Sequence, residues 1–200
     1  NTRLARTIYD PSATCPKWLK FLDEIQDGDQ EVIDYIQRLL GYAMTADISE
    51  HSLFLMYGTG ANGKSVLTTV VREILGDYAM EAAPDVLIKK KNDIHPAAFA
   101  DLENSRFVTC SEVDDGGWMA EGLVKRLTGE SQIKARKMHQ DWRAIDTTWK
   151  IFMAVNHKPT IRGQDHAIWR RIIMIPFEVT IPPEKQNPYL IEELLEEKSG

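Results

Sequence analysis

The stretch Leu53-Phe54-Leu55-Met56-Tyr57-Gly58-Thr59-Gly60-Ala61-Asn62-Gly63-Lys64-Ser65 decides the fold. An unbroken apolar run that stops at a glycine-rich segment has the pattern of a strand buried on both faces. Gly58 to Ser65 then fits the phosphate-loop spacing of Gly, four residues, Gly, Lys and a hydroxyl residue. Residues 65–75 carry helical periodicity and stop at Gly76. Strand, glycine loop and helix follow in the order a phosphate site requires. Glycines let backbone N–H groups turn inward, and the start of the helix adds a positive dipole end. Such a loop binds through Gly58, Thr59, Gly60, Ala61, Asn62, Gly63, Lys64 and Ser65, with Val66 next in line. Lys64 would reach the β and γ phosphates, and the Ser65 hydroxyl would hold Mg²⁺.

Outward from this loop, strands are expected at residues 106–111, 149–155 and 172–177, and helices at 96–102 and 118–128. That alternation predicts an α/β fold with a mostly parallel central sheet flanked by helices. The second strand ends in Glu112, followed by Asp114 and Asp115, where an acid would help hold the metal or polarise an attacking water. The third ends in Asn156, whose amide would orient the water or touch the γ phosphate. Upstream, residues 16–42 read as a helical hairpin around the turn Asp27-Gly28-Asp29. The expected organisation is a helical lead-in over 1–46, a nucleotide-binding domain over 47–181 and an acidic linker over 182–200 toward a further region.

One element breaks the alternation. Residues 132–136 and 142–145, joined by polar residues, read as a projecting β-hairpin. From Lys125 to Arg143 six basic side chains face two acids, whereas the 200-residue chain carries a net charge of −6. The positive charge is therefore local, as phosphate contacts require. Lys137 and His139 at the tip, and Lys134 beside it, are the candidate contacts to nucleic-acid phosphates. Trp142 and Trp149 are read as packing the hairpin onto the core, and Trp18, Phe21 and Trp169 as core. Hydrophobic residues make up 43% and charged residues 27%, the balance of a globular chain. The two cysteines support neither a disulfide framework nor a zinc site. No apolar run is long enough to span a membrane, so the expected location is cytoplasmic.

The order of these motifs resembles the superfamily 3 helicases, and most closely the phage and plasmid primase–helicase group that includes the poxvirus type. The resemblance runs through residues 18–42, Gly58 to Ser65 and residues 106–112. It continues in Lys125-Arg126-Leu127-Thr128-Gly129-Glu130, Ile133-Lys134-Ala135-Arg136, Ala154-Val155-Asn156-His157-Lys158-Pro159 and residues 169–177. It implies an AAA+-like P-loop NTPase, a hexameric ring with ATP and Mg²⁺ at subunit boundaries, and translocation on single-stranded or forked DNA. A primase domain in the same polypeptide is implied as well. Lys64 and Ser65 take the Walker A role, Glu112 the Walker B role and Asn156 the sensor role. Arg171, with Arg170 beside it, matches the arginine finger. Many members place two acids at the end of the Walker B strand, whereas here Ser111 precedes Glu112, which leaves Asp114 open to share that role. Two other readings share the phosphate loop: an ATP-binding replication initiator or scaffold with weak turnover, and a small-molecule kinase, which would not need the basic hairpin.

Overall fold

The computed structural model describes residues 3–83, 87, 96–111, 119–161 and 166–200. Glu112, Asp114, Asp115 and Trp118 lie outside the described residues.

The apolar run forms strand β1, Leu53–Tyr57. It lies between β6, Lys150–Val155, and β7, Ile172–Pro176. With β2, Ala79–Glu81, and β3, Phe107–Ser111, these strands make a five-stranded sheet in the order β2-β3-β6-β1-β7. All four pairings are parallel. This is the expected α/β architecture of a P-loop NTPase. Alternate residues of each strand feed separate cores. Leu53, Leu55, Ile151 and Met153 point into one, while Phe54, Met56 and Phe152 point into the other. Both faces being apolar explains why the strands read as continuous runs rather than alternating ones.

Helices α1, Pro16–Ile25, and α2, Gln30–Ala43, pack with α3, Lys64–Leu75, on the second face. Phe54 stacks on Phe152 there, with centroids 5.1 Å apart, and Phe107 tilts against Phe152 at 4.5 Å. The lead-in hairpin therefore shares a core with the sheet. The acidic tail does too: helix α7, Leu190–Leu195, buries Leu194 in the same core. The Glu197 carboxylate accepts from the Lys17 N–H at 2.8 Å and the Trp18 N–H at 3.3 Å, capping α1. Cys15, the residue at the cap position, provides no side-chain bond there. The tail expected to be a linker is thus packed against the body.

The other face carries α4, Pro96–Ala100, and α5, Glu121–Gly129, together with the hairpin of β4, Gln132–Ala135, and β5, Arg143–Asp146. Trp149 is buried as expected, its Nε1–H donating to Leu127 O at 3.1 Å. Trp142 and Trp169 are not core: each is 52% exposed. Trp142 stands beyond the paired strands and stacks under the Arg136 guanidinium at 4.9 Å, while Trp169 ends the short helix α6, His166–Trp169. Among the described residues no helix is long and apolar enough to cross a membrane.

Lys150 opens β6 and is only 3% exposed. Its ammonium donates to the carbonyl oxygens of Thr45, Asp47 and Thr148 and lies 4.9 Å from the Tyr42 ring, tying the α2–β1 connection to the sheet. Burial, reinforced by nearby Arg106, pushes its pKa down to about 8. An unfolded lysine titrates near ~10.4, so between those values the unfolded chain holds more protons and stability rises with pH. Burial pushes the Cys110 thiol up to about 12, which acts in the opposite direction at alkaline pH. The lysine contribution is isolated by comparison with Lys150→Met. We expect that variant to lose about 1–3 kcal/mol at pH 7. The stability difference between the two proteins should widen by about 2–3 kcal/mol between pH 8 and 10.4 in urea titrations.

Candidate functional site

Strand β1 delivers the phosphate loop at the C-terminal edge of the sheet. Gly58 is fixed there by its neighbours: its N–H donates to Val155 O at 3.1 Å, and a Cβ on it would lie 2.0 Å from Phe177 O. Gly60 and Gly63 have φ of 110° and 83°, in the left-handed range that a side chain disfavours. Gly63 also meets α1, since a Cβ on it would lie 2.5 Å from the Ile25 side chain.

Asn62 is 3% exposed and uses both ends of its amide. Nδ2 donates to Phe177 O at 3.0 Å, and Oδ1 accepts from Lys64 Nζ at 3.1 Å. Lys64 Nζ also donates to Gly58 O at 2.5 Å. Burial holds the Lys64 pKa below the ordinary lysine value. Ile181 N–H donates to Ala61 O at 2.7 Å, so the segment leaving β7 borders the loop. Thr59 and Ser65 are exposed, and Val66 is half-buried in the first turn of α3. Every residue of the expected loop is thus brought together at one place.

Asn156 follows β6 directly and is exposed beside the loop, because Val155 pairs with Tyr57 and accepts from Gly58 N–H. Strand β3 ends at Ser111, whose partner in β6 is Ala154, on the same edge of the sheet. Glu112 comes next in sequence but lies outside the described residues, as does Asp114.

The arginines sit elsewhere. Leu53 N–H donates to Arg171 O at 2.7 Å, which puts Arg171 at the opposite, N-terminal edge of the sheet. Its side chain is half-buried, with Nη1 donating to Ala167 O at 2.6 Å, and its Nε is buried with no partner among the described residues. Arg170 beside it is exposed.

In the hairpin, Ile133 pairs with Ile145, and these two with Ala135 face the core while Lys134 faces out. Lys137 and His139 are exposed in the turn, with His139 at φ 61°. Along this stretch Arg126 pairs with Glu130 at 3.7 Å and Arg143 pairs with Glu103. The exposed positive charge is concentrated on Lys134, Arg136 and Lys137. The sequence reading missed Arg136 stacked on Trp142, although an Arg and a Trp flanking one turn were a visible signal. It also missed Phe21 and Ile25 as the wall of the loop at Gly63, which no local pattern encodes.

The chain is 31% identical over 159 residues to a protein of Acanthamoeba polyphaga mimivirus named "Putative helicase L207/L206", an overlap of 78% of this chain and 16% of that protein. It is 26% identical over 179 residues to "Primase D5" of fowlpox virus, covering 84% of this chain and 22% of the relative. The chain thus spans about a fifth of the length of these relatives. Its fold matches the C-terminal region of NrS-1 with a TM-score of 0.72 at 14% identity, covering 100% of this chain and 46% of that one. The model of a family of unknown function, DUF5906, matches residues 56–171, more than half of the chain, and the chain belongs to that family.

Proposed function

We propose that this chain is the ATP-driven motor module of a DNA-replication helicase, hydrolysing ATP at the boundaries of a homo-oligomeric ring, hexameric in the simplest case, to move along single-stranded or forked DNA. The observation that carries the reading is the joining, in one fold, of a phosphate loop holding a buried Lys64 at the edge of the parallel sheet and an exposed basic hairpin that forms a separate antiparallel sheet. Similarity to viral proteins named as helicases and primases supports it, and suggests a primase domain in the same polypeptide.

In this reading Lys64 trades its bonds to Gly58 O and Asn62 Oδ1 for phosphate oxygens, and the loop N–H groups and the start of α3 hold the remaining charge. Mg²⁺ would rest on the Ser65 hydroxyl, exposed in the first turn of α3, and on nucleotide oxygens, with Glu112 as the candidate acid. When bound it would neutralise charge on the phosphates. Asn156 orients the attacking water. The kinase alternative has no use for the hairpin.

Arginine belongs to the neighbouring subunit's site, because Arg170 and Arg171 lie at the far edge of the sheet from their own loop. Arg170 is free to extend, whereas Arg171 must first release Ala167 O.

Three outcomes are expected. The ATPase rate per subunit rises with protein concentration and rises again with single-stranded DNA; a rate flat in both variables removes the ring motor. Arg170→Ala or Arg171→Ala leaves nucleotide affinity within about twofold and lowers turnover about 10³-fold or more. Mixing the impaired variant with Glu112→Gln restores activity through mixed interfaces, and no rescue at any ratio removes the finger in trans. Lys137→Ala weakens DNA binding and reduces its slope against log salt by about one unit, read by fluorescence anisotropy.

A further inference from the structure

The register of the hairpin decides which side chains stand at its turn. Ile133 pairs with Ile145 and both are buried, so that face belongs to the core. Lys134 pairs with Ala144 on the opposite face, and both are exposed. Alternation along each strand carries Arg136 and Trp142, the residues just past the last pair Ala135↔Arg143, onto the outward face with Lys134. They meet there: the Arg136 guanidinium lies over the Trp142 ring, 4.9 Å from its centroid. A tryptophan on the core face would be covered, whereas this one is 52% exposed.

The pair is held in place from both sides. Arg143, next to Trp142, donates through Nη1 to Glu103 Oε1 at 2.6 Å and through Nη2 to Glu103 Oε2, which fixes the start of β5 against the body. At the apex Gln140 N–H donates to Lys137 O at 3.1 Å and His139 takes φ 61°, closing a tight turn. One face of the indole is taken by Arg136, and the rest is open to a second flat group. Charge around it is one-sided. Lys134, Arg136 and Lys137 are exposed on the β4 side, whereas Asp141, exposed beside Trp142, is the only acid between residues 133 and 145. A polyanion therefore runs along the β4 side. An apolar partner has no use for those cations, and phosphate contacts alone have no use for an exposed indole. Both suit a chain that carries charge on its backbone and unpaired flat rings beside it.

We propose that Trp142, backed by Arg136, stacks on an unpaired base of single-stranded DNA while Lys134 and Lys137 hold the flanking phosphates. Every base has a π face, so the contact is indifferent to sequence and needs no groove or base edge. A duplex keeps its bases stacked on one another and offers the hairpin only phosphates, so the ring gives the hairpin its preference for the unpaired strand. The inference rests on the reading of the hairpin as the DNA contact and extends it from the phosphates to the bases.

Fluorescence anisotropy with two labelled probes of equal length, an oligodeoxythymidylate and the same backbone built from abasic residues, tests it. Trp142→Ala should weaken the thymidylate strand about fivefold to a hundredfold and leave the abasic strand within about twofold, the range of one lost base stack. Trp142→Phe, which keeps a ring, should recover most of the loss. The slope of affinity against log salt should not change in Trp142→Ala, because no phosphate contact is removed. Binding of thymidylate should quench the tryptophan emission of the native protein, and that quench should be lost in Trp142→Phe. The melting temperature should be the same in all three proteins, since the ring lies outside both cores. Equal loss on the two strands in Trp142→Ala, or no recovery with phenylalanine, overturns the proposal. So does a change in sedimentation of Trp142→Ala with DNA affinity intact, which makes the ring a contact between copies. Lys137→Ala separates the two readings. Loss on both strands with Lys137→Ala and none with Trp142→Ala rejects the base site and keeps the hairpin as a phosphate contact. Loss of thymidylate with Trp142→Ala but none with Lys137→Ala keeps the base site and removes the Lys137 contact.

Discussion

The close approach of two backbones at Gly58 is the constraint on which the site depends. A Cβ there would lie 2.0 Å from Phe177 O and 2.3 Å from Asn62 Nδ2, and neither can retreat: one is main chain and the other is buried. Because Gly58 leaves that space, the Asn62 amide can reach from the loop to Phe177 O and join the ends of β1 and β7. The same amide then presents its oxygen to Lys64, so the lysine is positioned by the strand pairing rather than by the loop alone. A larger residue at 58 would displace the amide and with it the lysine.

Charge is distributed by the same logic of separation. A net charge of −6 makes the whole molecule a poor partner for a polyanion, so binding must be confined to places where the local field reverses. The phosphate loop achieves this with backbone N–H groups, a helix start and one lysine. Around the hairpin, Arg126 of α5 and Arg143 at the start of β5 are paired with acids, while Lys134, Arg136 and Lys137 are exposed. Arg136 and Lys137 stand in the turn that follows β4. The Arg136–Trp142 stack adds an exposed flat surface there, of the kind on which bases stack.

The parts legible in the sequence are those encoded by neighbours along the chain. The strands over 53–57 and 150–155 announced themselves because two apolar faces make an unbroken apolar run, and the loop because its spacing is a chemical requirement. Strand β2, three residues at the edge of the sheet and paired on one side only, carried no such signature. Trp142 and Trp169 were misread because a large aromatic is core by default, and only the turn geometry and the brevity of α6 leave them exposed. The acidic tail looked like a linker because its charges dominate its composition, yet Leu194 and the Glu197 cap bind it to α1 from 180 residues away.

The placement of the arginines bears on assembly more directly than any motif. In a parallel sheet a residue that opens a strand and one that follows its neighbour's end are separated by the strand's length, about 16 Å for five residues at the usual rise. Arg171 O bonds to the first residue of β1, and the phosphate loop follows the last, so this separation is built into the pairing. An extended arginine side chain reaches less than half of it. No rotamer change or loop motion that preserves the β1–β7 register can bring Arg170 or Arg171 to the chain's own Lys64. If either arginine acts on a nucleotide, that nucleotide is held by another copy, and the sheet that fixes the phosphate loop also makes a single copy incomplete.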